Sequence, residues 1–529
     1  GGKVVCLTMG PPMAEEVLRY SLSRCADAAV LLTDRALGGA DTVATANPLA
    51  FAVKKIVKDI FSGDEDYYVV SGMQSVDGDT AQVPPQMAAE LGISCIAYAT
   101  GSEFKNGRFE FTRIISGGSQ VVAAKHTPAI VTVAKYEYPL FASFAATRKA
   151  NKFGVFSWTN ADINATQIGA QGSKTRVIRV FPPGKSTRKA QEITDVTSLA
   201  EKIKADFTGA GSQKQGFSGD SNGYILPAKR ADKLDRSFES TQKESDDFRF
   251  FAEKLKSLGI KNVDGITEEI KEKILADSSA AFHKKALDDM VEGLKLTKPS
   301  YSGQVWVVAE HSKGTIHPAA FELIGKATDL AKSLDTQVGV VLAGYKVESM
   351  AQELIVGGAD NVYVIDDPLL EEFDPHSFQK VAADVIKKYS PQIVLFAATP
   401  QGRMLAPLIS YSIGCGLTAD CTSLNINDSS RKGQVAVLLQ TRPALGGNIM
   451  ATICTKDSTC QMATARPGVM KRLENVPSRK GKVIKHQVAL TKDDISLDII
   501  STEMGAGKVS FDSDVIVAGG KGMQSRDNY

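Results

Sequence analysis

Two strand–loop–helix corners near the N-terminus constrain the fold most strongly. In the first, an apolar strand at 28–33 leads through a glycine-rich loop to Asp41, which is placed to cap the next helix. In the second, the strand at 67–70 ends in glycine, a turn follows at 77–79, and Pro84 lies in the first turn of a helix. Open α/β sheets bind nucleotides at such corners, because the N–H groups at a helix N-terminus suit a phosphate. The sequence therefore predicts a nucleotide lying across both corners.

The first hundred residues alternate strands and helices. An apolar strand at 3–10 precedes a helix at 14–23, and further helices are predicted at 48–60 and 86–91. This alternation indicates βαβ units and a parallel sheet. No chain precedes the first strand to cover its edge, so we expect one more strand and its loop ahead of residue 1.

Residues 108–152 have a different pattern. Extended segments at 108–111, 119–122 and 129–133 predict an antiparallel flap. The following run, 136–152, places bulky apolar residues beside a proline and ends in basic positions. Composition alone leaves two interpretations open for this run, a helix packed on its own sheet and a protruding docking loop.

The second half repeats the α/β alternation. A linker and helical connector are predicted over 207–300, and clean strand–helix alternation over 304–413 indicates a parallel sheet covered on both faces. Arg442 and Arg466, each next to a proline, fit either a phosphate or flavin contact or a surface turn. The last strand runs into the glycine cluster at 519–522 and predicts a third domain that continues beyond residue 529.

Composition excludes several classes of function. The 529 residues carry a net charge of +2, which gives no electrostatic reason to expect nucleic acid or an anionic membrane. No apolar run reaches the ~20 residues that cross a bilayer, and no signal-peptide pattern is present, so a cytoplasmic or organelle-matrix setting is expected. The seven cysteines form no CxxC pair and the histidines are scattered, which favours free buried thiols and no metal site.

Several long motifs resemble the electron transfer flavoproteins, with both subunits in one chain. Residues 3–206 resemble the beta subunit through GGADTVATA and SGMQSVDGDTAQVPPQMAAELG, and residues 304–529 resemble the alpha subunit through QTRPALGGNIMATI, QMATARPGVMKRL and DVIVAGGKG. The implied fold is α/β, with two Rossmann-like (adenine nucleotide alpha hydrolase-like) parallel-sheet domains joined by a helical linker. The implied domains are 1–206, 207–300, 301–500 and 501–529, the last being the entry strand of a truncated flavin-binding domain.

The resemblance implies a cofactor site in the beta-type domain. The form DGDTAQV is similar to the electron-bifurcating branch, in which that site holds FAD; in other members it holds AMP. A second FAD is expected in the missing domain, and NAD(H) as electron donor. No side chain is expected to act as an acid, base or nucleophile. The expected cofactor-binding residues are Met9, Gly10, Gly39, Ala40, Asp41, Thr42, Thr45, Gly72, Gln74, Asp77, Gly78, Asp79, Thr80, Gln82 and Val83 in the first half, and Gly519, Gly520 and Gly522 at the end.

The resemblance also implies a function with partners. NADH would reduce the flavin of the beta-type domain, and electrons would pass to a low-potential carrier, ferredoxin or flavodoxin, and through the second flavin to an acyl-CoA dehydrogenase-like flavoenzyme. That enzyme would dock on Leu140, Phe141 and Phe144, although the arginine of the family's recognition loop is absent. Two alternatives remain, a non-bifurcating member with structural AMP that serves a quinone reductase, and an adenine-nucleotide-binding module without redox work.

Overall fold

The fold is given by a computed structural model. It describes residues 2–135, 140–183, 195, 197–198, 200–201, 267–276, 303–312, 314–426, 437–455, 458 and 460–504. The predicted connector lies outside the described residues except for one helix, Glu268–Ala276. The residues 519–522, expected to bind cofactor, also lie outside them.

The first half contains nine strands and six helices among its described residues. The helices are α1 Glu15–Leu22, α2 Thr42–Asp59, α3 Val83–Leu91, α4 Phe144–Ala150, α5 Asn160–Ile163 and α6 Gly169–Gly172. The strands are β1 Val5–Met9, β2 Ala28–Leu32, β3 Tyr68–Gly72, β4 Ser94–Lys105, β5 Arg108–Ile115, β6 Gly118–Ala124, β7 Ala129–Val133, β8 Phe156–Trp158 and β9 Thr175–Phe181. Short 3-10 turns precede α1 and α2, at Pro12–Ala14 and Arg35–Leu37.

The second half, which follows the connector helix α7 Glu268–Ala276, is built on one parallel sheet. Its helices are α8 Pro318–Leu334, α9 Ala351–Val356, α10 Pro375–Tyr389 and α11 Pro400–Ile413. Its strands are β10 Val305–Val308, β11 His311–Ser312, β12 Thr315–Ile316, β13 Val338–Gly344, β14 Asn361–Asp366, β15 Ile393–Ala397, β16 Leu417–Cys421, β17 Ser423–Ile426, β18 Leu438–Ala444, β19 Ile449–Thr455, β20 Gln461–Ala465, β21 Lys482–Lys485 and β22 Leu497–Met504. Seven of these strands pair in the order β16-β20-β15-β10-β13-β14-β21, all parallel. The fold is therefore α/β with two Rossmann-like halves, as the sequence predicts.

The sheet of the first half is interrupted. One part pairs β1, β2 and β8 in parallel, and the other has the order β22-β6-β5-β4-β7-β3. Among the described strands, β1 pairs with β2 alone and β3 pairs with β7 alone, so each leaves one edge unpaired. A cavity lies between those two edges.

The placement of the strand at 129–133 differs from the expectation. It was predicted in an antiparallel flap, but β7 pairs in parallel with both β3 and β4 and is buried in the core. The antiparallel part of the sheet instead contains β4, β5, β6 and β22. Local sequence identifies an extended segment but not its partner, which here lies tens of residues away.

The two halves exchange strands with each other. β9 of the first half pairs antiparallel with β19 in the four-stranded sheet β17-β18-β19-β9. β22 of the second half pairs antiparallel with β6. The buried carboxylate of Asp374, at the start of α10, accepts the backbone N–H groups of Ser496 and Leu497 at 2.9 and 3.0 Å and so fixes the start of β22. These pairings hold both halves around the cavity.

Within the described ranges, every helix is too short or too polar to cross a membrane.

Candidate functional site

A cavity of about 1490 Å³ opens at the carboxyl ends of the strands of the first half and continues between β1 and β3. Its upper part is formed by the loops after β1, β2 and β3 and by the second-half residues Leu417–Ala419, Arg442 and Ile453. Nucleotides and cofactors bind at this edge of open α/β sheets. The volume exceeds the roughly 300–1,000 Å³ of ordinary ligand sites because it includes the gap between the two strand edges.

Helix α2 begins at this cavity. Asp41 has an extended backbone, and its Oδ1 accepts the N–H of Ala44 at 3.0 Å, which is the N-cap that the sequence predicts. Its Oδ2 accepts the backbone N–H groups of Lys174 and Thr175 at 2.7 and 2.8 Å and thereby holds the start of β9. The Asp41 carboxylate is thus fully used by the protein, and what α2 offers to a ligand is its positive N-terminal end.

Two polar side chains connect the two corners. Thr42 Oγ1 donates to Gln82 Oε1 at 2.8 Å, and Gln82 Nε2 donates to the carbonyl oxygen of Leu417 at 3.3 Å. Gln82 is 2% exposed. The start of α2, the start of α3 and strand β16 of the second half are therefore linked at one point of the cavity wall.

The loop after β3 is held from the opposite side by the β18–β19 hairpin. Arg442 Nη1 donates to the carbonyl oxygen of Gly78 at 2.6 Å, and its Nη2 donates to that of Asp79 at 3.2 Å. The N–H of Leu445 donates to the carbonyl oxygen of Asp77 at 3.1 Å. Asp79 has φ +50, so the loop turns sharply and relies on these contacts to keep its shape.

Charge at this loop is set by local hydrogen bonds and burial. The hydroxyl of Ser75 and the N–H of Gly78 lower the pKa of the Asp77 carboxyl, which stays ionised. Burial lowers the pKa of the Arg442 guanidinium, although nearby acidic groups oppose this. The guanidinium remains charged at neutral pH, because the ordinary pKa of arginine is above about 12.

Three residues that line the cavity each carry a buried polar atom without a hydrogen-bond partner among the described residues. The atoms are Ser71 Oγ, Thr418 Oγ1 and Arg442 Nε. A buried polar atom without a partner costs on the order of 1–3 kcal/mol. Two hydroxyl groups and one guanidinium N–H match the oxygens of a phosphorylated ligand, so this wall fits the diphosphate and sugar of an adenine dinucleotide such as FAD.

Most of the residues predicted to bind the cofactor in the first half come together at this cavity. Those that line it are Met9, Ala40, Asp41, Thr42, Thr45, Gly72, Gln74, Asp77, Gly78, Thr80, Gln82 and Val83. Gly10, Gly39 and Asp79 do not line it, and Gly39, with φ +72, serves the turn before α2. Sequence reasoning did not single out Ser71 or Thr418, and it left the role of Arg442 open.

A metal site finds no support in the part of the chain that the structure describes. No group of three or more His, Cys, Asp or Glu side chains there could hold a metal ion.

These features define an α/β protein with a candidate nucleotide site built from two halves of one chain. A family model for the electron transfer flavoprotein domain matches residues 1–162 and 305–491. The chain belongs to the electron transfer flavoprotein family.

Curated relatives match about half of the chain or less. The alpha subunit of the electron transfer flavoprotein of Thermoanaerobacterium thermosaccharolyticum is 42% identical over 227 residues, which are 42% of this chain and 67% of the relative. Protein FixB of Azorhizobium caulinodans is 33% identical over 271 residues, covering 50% of this chain and 69% of FixB. The lactate dehydrogenase (NAD(+),ferredoxin) subunit LctC of Acetobacterium woodii is 35% identical over 234 residues, covering 44% of this chain and 54% of LctC.

Proposed function

We propose that this chain is an electron-bifurcating flavoprotein that takes electrons from NADH at FAD in the cavity of the first half. One electron passes to a low-potential carrier such as ferredoxin or flavodoxin. The other passes to a second FAD in the domain that begins at 501–529 and from there to an acyl-CoA dehydrogenase-like partner. A cytoplasmic location is part of the proposal. A flavin supplies the redox chemistry, because it accepts a hydride and can release electrons singly.

The observation that carries the proposal is the set of unpartnered polar atoms on the cavity wall. Arg442 Nε and Thr418 Oγ1 come from the second half and Ser71 Oγ from the first. A ligand that satisfies all three must bridge both halves and carry several oxygen atoms. The proposed roles of the protein are to bind the diphosphate at the start of α2 and at Arg442, and to orient the cofactor between the halves.

One of the relatives supports the redox assignment. LctC carries NAD(+) and ferredoxin in its name; NAD(+) is the oxidised form of the donor proposed here, and ferredoxin is the low-potential carrier proposed here. The proposal transfers those two reactants from a relative that matches 44% of this chain. The alternative is a non-bifurcating member with structural AMP in the cavity that passes electrons from dehydrogenases to a quinone reductase.

Cofactor counting tests the proposal. The full-length protein is purified, its bound cofactors are released, and flavin and adenine nucleotide are quantified per chain. Two FAD per chain, with bleaching of flavin absorbance by NADH alone, support bifurcation. One FAD and one AMP support the alternative. Absence of flavin contradicts both and leaves an adenine-nucleotide-binding module.

We further propose that the redox partner docks on the apolar segment before α4. Leu140, Phe141 and Phe144 are 64%, 85% and 87% exposed. The segment is nevertheless anchored, because Arg24 Nε donates to the carbonyl oxygen of Leu140 at 2.8 Å and Arg19 Nη1 donates to that of Ala150 at 2.7 Å. Three exposed apolar side chains on a fixed backbone suit a hydrophobic pocket on a partner.

An adjacent helix face extends this docking surface. Met13, Val17 and Tyr20 lie on one side of the first helical segment and are 80%, 57% and 60% exposed. The Arg24 guanidinium stacks on the Tyr20 ring at 3.3 Å, which joins this face to the backbone at Leu140. We propose that one partner covers both.

Loss of an anchor residue tests the docking proposal. Phe141→Ala is expected to raise the Kd for the partner flavoenzyme by about tenfold or more, since buried aromatic anchors contribute about 2 kcal/mol or more. Phe104→Ala is the matched control, because Phe104 is also exposed but lies on the β4 strand. Equal Kd values for Phe141→Ala and the unchanged protein would remove this segment from the interface.

A further inference from the structure

Two buried cysteines of the second half face each other. Cys415 and Cys460 are 0% and 1% exposed, and their Sγ atoms are 3.2 Å apart although the residues are 45 positions apart in the chain. Both belong to one hydrophobic core cluster with Trp306. Two thiols in contact inside a core are the reduced form of a possible disulfide.

The backbone at the pair is suited to a disulfide. β16 and β20 are parallel neighbours with Leu417 opposite Met462, and each cysteine lies two residues before one of these partners. Adjacent strands are ~4.8 Å apart, within the ~4.4–6.8 Å that a disulfide allows between Cα atoms. The two sulfurs can therefore bond through a small local adjustment.

The pair lies next to the contact between the halves. A Cβ added at Gly416 would be 2.5 Å from the carbonyl oxygen of Lys174, so the chain after Cys415 touches the first half directly. The N–H of Lys174 donates to Asp41 at the start of α2. Leu417, one residue further, accepts the hydrogen bond from Gln82 on the cavity wall.

We propose that Cys415 and Cys460 are a redox-active dithiol that forms a reversible disulfide by exchange with a low-molecular-weight disulfide, which reaches the pair when the chain before the edge strand β16 opens locally. The thiolate of one cysteine attacks a sulfur of the small disulfide, a mixed disulfide forms, and one small thiolate leaves. The second cysteine, as thiolate, then attacks the protein sulfur of the mixed disulfide and releases the second small thiolate. The protein loses two protons and two electrons, and the small disulfide is reduced to two thiols.

Disulfide formation also affects the cavity wall. Closing the distance between the two sulfurs shifts the chain before β16, where Gly416 and Leu417 contact the first half. The contact from Leu417 to Gln82 is weakened as a result. Oxidation is therefore expected to speed the release of an adenine nucleotide several-fold, a consequence that rests on the proposed function, whereas the disulfide itself does not.

Mass spectrometry of the full chain tests whether Cys415 and Cys460 form a disulfide. The reduced protein is equilibrated under native conditions with mixtures of oxidised and reduced glutathione, denatured with an alkylating agent and digested. The expected result is one cross-link between the peptides of Cys415 and Cys460, lost on reduction. Cys95, Cys421 and Cys454 are also buried and are internal controls that should be alkylated throughout. Alkylation of Cys415 and Cys460 under every mixture, or cross-links scattered among other cysteines, overturns the proposal.

Two further experiments test the disulfide and its effect on the cavity separately. Cys460→Ala should abolish the cross-link, whereas Cys454→Ala, at another buried cysteine, should keep it. Release of isotope-labelled AMP is then compared between the oxidised and reduced forms of the unchanged protein. Equal rates overturn the coupling to the cavity. Failure of AMP to bind in either form contradicts the nucleotide site and leaves the cross-link result standing.

Discussion

The two α/β halves differ at the edge where such folds bind ligands. In the first half, the carboxyl ends of the strands face a cavity of about 1490 Å³ with unpartnered polar atoms on its wall. In the second half, the corresponding place beside β10 holds a void of only about 20 Å³, lined by Phe378, Phe396 and Glu310. The same architecture is therefore open in the first half, where the sheet is interrupted between β1 and β3, and closed in the second half, where the sheet is continuous and side chains fill the corresponding place.

Glu310 shows how the second edge is closed. Its carboxylate accepts the hydroxyl of Thr399, the N-cap of α11, at 2.5 Å and that of Ser116 from the first half at 2.6 Å. The negative charge of Glu310 lies beside the N-terminus of α11, where the helix dipole would otherwise favour a bound anion. The Glu310 carboxylate at this edge of the second half thus accepts hydrogen bonds from side chains of the same chain. The bond from Ser116 also joins this edge to the first half.

The largest expected effect comes from removing the aromatic filler of the second edge. Phe378 is 7% exposed and packs on Phe373 with ring centroids 5.0 Å apart. Phe378→Ala should lower the free energy of unfolding by about 3–5 kcal/mol without creating a nucleotide site. Urea unfolding followed by Trp306 fluorescence measures this, because Trp306 lies in the same core cluster.

The control for Phe378→Ala is Phe104→Ala, at a 64% exposed position. Its expected cost is below about 1 kcal/mol. A similar loss in both variants, or a gain of nucleotide binding in Phe378→Ala, would contradict the contrast between an open and a filled edge.

The next effect concerns two arginines that look alike in sequence. Arg442 lines the cavity and is 4% exposed, whereas Arg466 Nη2 donates to Asp420 at 2.6 Å. Arg442→Met should weaken cofactor binding by about 10- to 100-fold, the range for a charge-assisted hydrogen bond of about 1.5–3 kcal/mol. Arg466→Met should change it by less than about threefold. Fluorescence titration of cofactor-free protein with FAD measures the affinity of both variants. Equal losses of affinity would show that Arg442 has no special role in binding the cofactor.

These arginines show which features can be predicted from the sequence and which cannot. The caps at Asp41 and Thr399 depend on neighbours three residues away, and such local patterns are visible in sequence. Arg442 instead gains its role from the loop at 77–79, more than 360 positions earlier, so sequence left it open between ligand contact and surface turn. The exchange of β9 and β22 between the halves is also non-local, and no periodicity encodes it.

A third effect tests the room available at the open edge. Gly72 ends β3, lines the cavity and has no atom within 4 Å of an added Cβ. Gly72→Leu should therefore fold normally but place a side chain where a ligand lies, lowering FAD content about tenfold or more. Gly101→Leu is the matched control, because Gly101 is also in a strand with open space around it but away from the cavity. Full FAD content in Gly72→Leu would place the ligand elsewhere.

The smallest effect concerns the ion pairs that Asp420 forms with Arg403 and Arg466. Burial acts to raise the pKa of the Asp420 carboxyl, but the hydrogen bond from Arg466 and the positive charges of Arg403 and Arg466 outweigh it and hold the pKa below its ordinary value of 3.8. A carboxyl whose folded pKa is depressed contributes stability above its unfolded pKa and loses it as pH falls through the folded value.

Asp420→Asn should therefore be less stable than the unchanged protein by a constant amount above about pH 4, and the difference should narrow below that pH. Urea unfolding in steps from pH 6 to pH 3 measures the difference, and Asp493→Asn, at an exposed position, controls for the loss of one negative charge. A difference that stays constant down to pH 3 would mean that Asp420 is not held ionised by its arginines. The contrast between Arg442 at the cavity and Arg466 at Asp420 would then lose its electrostatic basis.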